Sequence, residues 1–130
     1  MTGPELDNVL AWHEALNAGD AERVASLSHR EIGIGGPRGS ARGRQVLKDW
    51  VGRANVRLEP LRSFRRGGTV VVEESATWRD AQTGETTGAA TVATVFELDG
   101  GLVTGIFRYD GLKDALRHAG LDGSDEVRSE

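Results

Sequence analysis

The segment that most constrains the fold is residues 12–20, Trp-His-Glu-Ala-Leu-Asn-Ala-Gly-Asp, near the N-terminus. It continues a stripe of residues at the three- and four-residue spacing of one helical face, formed by Leu6, Val9, Leu10, His13 and Leu16 with Trp12. Gly19 predicts the end of this helix, because glycine takes the left-handed conformation without a steric penalty. Asp20 predicts the start of a second helix, because its carboxylate can accept a hydrogen bond from a free backbone N–H. The chain therefore begins with two helices joined by a tight turn.

The remainder of the chain alternates in a way that is typical of strands. Residues 31–35 predict a short strand, which the glycines and the proline of residues 35–39 end, and residues 44–54 predict a third helix. Longer strands are predicted at 56–65, 69–79, 88–98 and 102–109. Asp110 is predicted to cap a last short helix that ends at Gly120. Helices followed by long antiparallel strands predict an α+β fold.

Length and composition predict a single cytoplasmic domain. The chain has 130 residues, enough for one core, and has no cysteine, which excludes disulfides and thiolate chemistry. It shows neither an apolar run of membrane-spanning length nor the pattern of a signal peptide, so we expect a cytoplasmic protein without a membrane partner. We expect the domain to cover residues 5–121 and the polar residues 122–130 to form a disordered tail.

Charge is distributed unevenly along a chain whose net charge is −4. Residues 37–66 carry nine basic and two acidic side chains, whereas residues 67–130 carry five basic and twelve acidic ones. The two segments could neutralise each other, or the basic one could form an anion-binding face or a paired interface. The acidic total argues against a nucleic-acid partner.

Three short motifs resemble one superfamily. They are Ala-Leu-Asn-Ala-Gly-Asp at 15–20, Gly-Gly-Pro-Arg-Gly at 35–39 with Gly43 before the third helix, and Arg-Tyr-Asp at 108–110 with Leu112. In this order they resemble the nuclear transport factor 2-like superfamily, and within it the SnoaL-like group. The resemblance implies a cone-shaped, cystatin-like, curved antiparallel sheet with three N-terminal helices on its concave face and a short C-terminal helix. It also implies a homodimer with a pocket in each subunit.

The resemblance does not extend to the catalytic residues of the ketosteroid isomerases in this superfamily. Their oxyanion-hole tyrosine falls on Trp12, whose indole can donate one hydrogen bond but cannot replace a phenol. Their general base, an aspartate before a proline, falls on Gly36, which has no side chain. Because proton abstraction beside a carbonyl needs both groups, we expect no steroid isomerase activity.

The superfamily's other acid-dependent activities also find no clear match. Its limonene epoxide hydrolases use an Asp-Arg-Asp set and its polyketide cyclases a pocket aspartate. The last predicted strand carries no acid before Asp110. Glu74 shares a strand face with Val72 and Ala76, so it is either a buried acid inside the cone or a rim residue paired with the basic segment.

The candidate site residues divide into an apolar wall and polar groups. His13 could be a pocket acid or base, or a histidine satisfied by a backbone carbonyl. Arg38 and Arg108 could bind an anion through the planar guanidinium, or form surface salt bridges. The candidates for the pocket lining are Trp12, His13, Trp50, Glu74, Trp78 and Arg108. No sequence pattern indicates a metal site, a phosphate-binding loop or a cofactor.

Three functions are compatible with these residues. The first is a small-molecule-binding protein whose apolar pocket takes a small hydrophobic or weakly acidic ligand, with no assigned reaction. The second is an acid–base enzyme of isomerase, cyclase or dehydratase type that uses His13, Glu74 and Arg108. The third is a noncatalytic dimeric module that binds a protein partner.

Overall fold

A computed structural model of the protein describes residues 4–36 and 39–127, which form an α+β fold. The helices are α1 (Pro4–Asn17), α2 (Ala21–Ser26), α3 (Arg44–Ala54) and α4 (Leu112–Ala119). The strands are β1 (Ser28–Gly36), β2 (Gly39–Arg42), β3 (Val56–Arg66), β4 (Thr69–Arg79), β5 (Thr86–Asp99), β6 (Leu102–Tyr109) and β7 (Glu126–Val127). No helix within the described residues is long and apolar enough to cross a membrane.

The strands form one curved, unclosed sheet in the order β2-β1-β6-β5-β4-β3-β7. This architecture confirms the predicted α+β class, and the ranges predicted for the four long strands match β3 to β6 within one or two residues. The sheet is mixed rather than antiparallel throughout, because β1 runs parallel to β6. Irregular registers near Pro60, Trp78 and Glu97 mark bulges, and bulges bend a strand and increase its twist.

The predicted turn after β1 belongs to a hairpin. Residues 39–42 form β2, which pairs antiparallel with β1 from Gly33 to Gly36. All four β2 residues are exposed, as expected for a short edge strand. Pro37 and Arg38 lie outside the described residues.

The helix boundaries follow the sequence at the N-terminus but not before α4. Gly19 has a φ of +71°, and Asp20 accepts a hydrogen bond of 3.1 Å from the backbone N–H of Arg23, as predicted. The prediction that Asp110 caps α4 is wrong: α4 begins after Gly111, and none of the described side chains caps it. Its sharp C-terminal end at Gly120 is as predicted, with a φ of +76°.

Helices α1 to α3 pack on one face of the sheet, here called the inner face. Strand alternation turns Val70, Val72, Glu74 and Ala76 of β4 toward this face, where all four are fully buried. The main core forms there, between the apolar stripe of α1 and the strands β3 to β6.

The opposite face, here called the outer face, is covered by α4. A second buried cluster joins Val71 of β4 and Ala93 and Val95 of β5 to Ala115 of α4. Helix α4 therefore lies on the face opposite to α1, α2 and α3. The apolar residues Val71, Ala93 and Val95 of this face are thus buried within the subunit itself. The homodimer stays a prediction that rests on the family resemblance.

The acidic C-terminal segment pairs with basic β3. Residues 123–125 form a 3₁₀ turn and β7 pairs with β3, although the composition predicts a disordered tail here. Arg62 binds Glu126 through two hydrogen bonds of 3.0 Å, which raises the pKa of Arg62. Arg66 binds Asp125 at 2.6 Å. Part of the charge asymmetry is thus neutralised within the chain, as one of the two alternatives anticipated.

Candidate functional site

A cavity of about 730 Å³ lies between the inner face, α1, α3 and the β1–β2 hairpin. Its lining is mainly apolar and aromatic, with a few hydroxyls and one charged side chain. The lining residues are Trp12, Ile34, Gly35, Gly39, Ser40, Ala41, Val46, Leu47, Trp50, Val56, Leu58, Ala76, Trp78, Val92, Thr94, Ile106 and Arg108. This size and composition are typical of small-molecule sites.

Tryptophans provide flat surfaces on two sides of the cavity. Trp12 of α1 and Trp50 of α3 stack with ring centroids 6.3 Å apart and planes 21° apart. Behind them, Phe96 of β5 meets Trp12 edge to face at 5.3 Å. Trp78 belongs to the strand wall, at the end of the β4 face that also carries Glu74 and Ala76. A planar apolar molecule would find complementary surfaces on both the helices and the sheet.

Trp12 also carries an unusual polar atom. Its indole Nε1 is buried and has no hydrogen-bond partner among the residues that the structure describes. A buried N–H without an acceptor destabilises the fold relative to a paired one. Trp12 also lines the cavity. Its N–H is therefore a polar group at the cavity wall that contributes no hydrogen bond to the described part of the fold.

Arg108 is the only charged residue on the described lining of the cavity. It is exposed and lies near the end of β6, directly across from Thr94 of β5. Among the described residues it forms no ion pair, whereas Arg62 and Arg66 pair with acidic side chains of the C-terminal segment. Its guanidinium therefore remains available to an anion at the cavity.

A buried hydrogen-bond chain lies behind the cavity wall. The Nδ1 of His13 is 2.8 Å from the carbonyl oxygen of Val9, one turn earlier in α1, and its Nε2 contacts Oε2 of Glu74. The hydroxyl of Thr94 donates to Oε1 of Glu74 at 2.6 Å. His13, Glu74 and Thr94 are 2%, 0% and 5% exposed. Of the three, Thr94 alone lines the cavity.

These hydrogen bonds form because α1, β4 and β5 meet at one buried position. Period-two alternation places both Glu74 and Thr94 on the inner face. In the β4–β5 register Glu74 lies opposite Val92, so Thr94 is its diagonal neighbour and within side-chain reach. His13 belongs to the buried stripe of α1, which crosses β3 and β4. The tertiary contact thus joins groups 61 and 20 residues apart in sequence.

The structure brings four of the candidate residues together and separates two from them. Trp12, Trp50, Trp78 and Arg108 all line the cavity. His13 and Glu74 bind each other behind its wall and are not among its lining residues. Glu74 is thus a buried acid rather than a rim residue. The anion-binding candidate Arg38 lies outside the described residues.

Sequence reasoning missed Thr94. A threonine within an apolar strand is an ordinary strand residue, so its residue type alone does not indicate a function. Its position two residues before Phe96 does indicate the inner face, and that alternation could have identified it. Among the described residues, no cluster of three acidic or histidine side chains could hold a metal ion.

Comparison with known proteins identifies relatives of this architecture. A family model described as SnoaL-like domain matches residues 9–106. An epoxide hydrolase from M. tuberculosis of the LEH-like type is 20% identical, with 91% of this chain and 90% of that chain covered and a TM-score of 0.73.

Two further solved structures are similar at comparable levels. TerC, co-crystallised with polyporic acid, is 18% identical, with 90% and 98% of the two chains covered and a TM-score of 0.73. A putative polyketide cyclase from Xanthomonas campestris pv. campestris is 18% identical, with 89% and 96% covered and a TM-score of 0.71. At these identities the likeness shows the fold alone. No protein of curated function matches the sequence significantly.

Proposed function

The chain belongs to the SnoaL-like domain family, and from that premise we propose that it binds a planar, largely apolar small molecule with an anionic oxygen. The ligand occupies the cavity of the inner face. The observation that carries this proposal is Arg108, which forms no ion pair with a described residue and lies on the lining of a mainly aromatic and aliphatic cavity. A volume of about 730 Å³ accommodates a ligand of two or three fused or linked rings.

Chemical complementarity supports this class of ligand. The stacked rings of Trp12 and Trp50 offer an extended apolar surface, and a guanidinium binds a carboxylate or enolate through two parallel hydrogen bonds. The polyporic acid bound by TerC is, by its name, an acid held by a protein of the same fold. An open cavity with free polar groups also favours a ligand-binding protein over a module that only binds a protein partner.

The test is the affinity for 2-naphthoate, a planar bicyclic carboxylate. We expect Arg108→Gln to weaken binding by roughly 10- to 100-fold, because a hydrogen bond to a charged group contributes about 1.5–3 kcal/mol. Isothermal titration calorimetry at constant pH and salt measures the change. The neutral 2-naphthylmethanol should bind both proteins with similar affinity.

Arg79→Gln is the matched control, since Arg79 is also an exposed arginine of the sheet but does not line this cavity. It should leave the affinity for 2-naphthoate within about twofold of the parent. An Arg108→Gln protein that binds 2-naphthoate as well as the parent does would contradict the proposal. So would a parent protein that binds neither compound.

An acid–base enzyme is the second candidate, and the chain from His13 through Glu74 to Thr94 favours it. That chain could take up a proton from a bound substrate, although its acid and base do not contact the cavity. Proton transfer normally needs the acid or base within hydrogen-bond reach of the reacting group. Binding without this chemistry is therefore the stronger proposal.

Deuterium exchange separates these two candidates. For 2-tetralone, an enolisable bicyclic ketone, incubated in D₂O, we expect mass spectrometry to show no more exchange with the parent than with Glu74→Gln. That variant keeps a side chain of the same shape but cannot accept the proton. Exchange that depends on Glu74 and saturates with ketone concentration would instead establish the enzyme.

A further inference from the structure

The hydrogen bonds around Glu74 also define what the cavity offers to a ligand, an inference that rests on the proposed function. We propose that Thr94 is a specificity residue whose hydroxyl oxygen accepts a hydrogen bond from the ligand. The cavity then selects planar anions that also carry an O–H or N–H donor. His13 and Glu74 act as positioning residues, since they contact Thr94 and each other rather than the cavity.

The hydrogen bond at Nδ1 of His13 determines which of the linked groups donate and which accept. The carbonyl oxygen of Val9 can only accept, so the Nδ1 that lies 2.8 Å from it carries a proton. Nε2 then has two options toward Glu74. It accepts a proton from a neutral Glu74, or it donates its own proton to an ionised one.

Both options leave Oε1 of Glu74 without a proton. In the first, the carboxyl proton lies on Oε2 between Glu74 and His13, and in the second the carboxylate has none. A proton on Oε1 would place an acceptor against an acceptor at His13, or leave a net positive charge in the core. Either arrangement is costly at positions that are 2% and 0% exposed.

The hydroxyl of Thr94 is therefore committed as a donor. Its one proton goes to Oε1 of Glu74 at 2.6 Å, and only its lone pairs remain for other partners. Because Thr94 lines the cavity, it presents an acceptor there, whereas a threonine with a free hydroxyl could donate or accept.

Arg108 has the opposite character and lies next to Thr94. The two residues are direct partners in the antiparallel β5–β6 pair, so their side chains leave the same face. A guanidinium only donates. The ligand that satisfies both residues has an anionic oxygen for Arg108 and a donor for Thr94, joined by a flat apolar framework along the tryptophans.

Three bicyclic acids test this polarity: 6-hydroxy-2-naphthoate, 6-methoxy-2-naphthoate and unsubstituted 2-naphthoate. The hydroxy acid can donate to Thr94, and the methoxy acid offers only an acceptor. We expect the parent protein to bind the hydroxy acid roughly tenfold more tightly than the methoxy acid, as one hydrogen bond and an avoided acceptor–acceptor contact would produce. Calorimetric titration of each acid gives the ratio.

Conservative variants separate the hydrogen bond from steric effects. Thr94→Val has nearly the same shape but no hydroxyl, and should bring the ratio within about twofold of one. Thr94→Ser should keep the preference. Glu74→Gln should keep it too, because its amide can donate to Nε2 of His13 and its carbonyl can accept from Thr94.

The outcomes distinguish this inference from the proposed function. A parent that binds the hydroxy and methoxy acids equally, with binding still dependent on Arg108, would overturn the role of Thr94 and leave the proposed function standing. A preference that persists in Thr94→Val would also overturn it, since the cause would be steric. Failure of the parent to bind any of the three acids would overturn both proposals.

Discussion

Replacing Glu74 with alanine is expected to lower the free energy of unfolding by about 3–5 kcal/mol, the usual effect of removing one member of a buried polar pair. Glu74 is 0% exposed and holds two partners. Its removal leaves the Nε2 of His13 and the hydroxyl of Thr94 buried without a partner, and leaves a cavity in the β4–β5 wall. Urea denaturation at neutral pH, followed by circular dichroism, measures the change.

Two further variants show whether the hydrogen bonds are responsible. Glu74→Gln keeps partners for both neighbours, so we expect a loss of less than about 1.5 kcal/mol. In His13→Leu/Glu74→Leu the buried polar pair is gone altogether, and its loss should be smaller than the sum of the two single changes. If Glu74→Ala and Glu74→Gln were equally stable, the hydrogen bonds of residue 74 with His13 and Thr94 would contribute nothing to stability.

Replacing Trp12 with alanine is expected to cost about 3–5 kcal/mol, as for other large buried aromatic side chains. Trp12 is 1% exposed and contacts Trp50, Phe96 and His13. The loss combines the apolar surface that returns to water with the void left between α1 and α3. Thermal and urea unfolding should both report it.

The identity of the ring is expected to matter much less than its presence. Trp12→Phe removes the buried Nε1 that has no partner, which offsets part of the lost packing, so we expect a cost of less than about 1.5 kcal/mol. Trp50→Ala is the matched control, because Trp50 is half-buried at the cavity wall and should cost less than Trp12→Ala. A Trp12→Phe protein as unstable as Trp12→Ala would contradict this expectation.

Local physics explains why so many of the elements could be predicted. The turn at Gly19 and Asp20 depends on the backbone freedom of one glycine and the capping oxygen of one carboxylate, both of which act within a few residues. The alternation in 69–79 and the glycines at 67–68 and 100–101 are equally local. Where local signals competed, prediction failed: Asp110 has the chemistry of a cap, but the chain starts α4 one residue later.

The pairing of distant segments could not be predicted in the same way. That β1 runs parallel to β6, and that α4 lies on the outer face over Val71 and Ala93, depends on which apolar surfaces remain uncovered once the sheet has formed. Charge patterning suggested that the basic and acidic segments meet. It did not identify β7 and β3 as the elements that do so.

The same division applies to the candidate site. The sequence alone predicted the α+β class, the two N-terminal helices with their turn, and the strand ranges. It also predicted a set of tryptophans and arginines suited to a pocket. Each of these is a property of neighbouring residues. The tertiary structure alone decided that His13 and Glu74 bind each other behind the cavity wall. It also decided that Thr94, which donates to Glu74, lines the cavity. Hydrogen bonds of this kind depend on distances of a few ångströms between residues far apart in sequence, and no periodicity in the sequence encodes those distances.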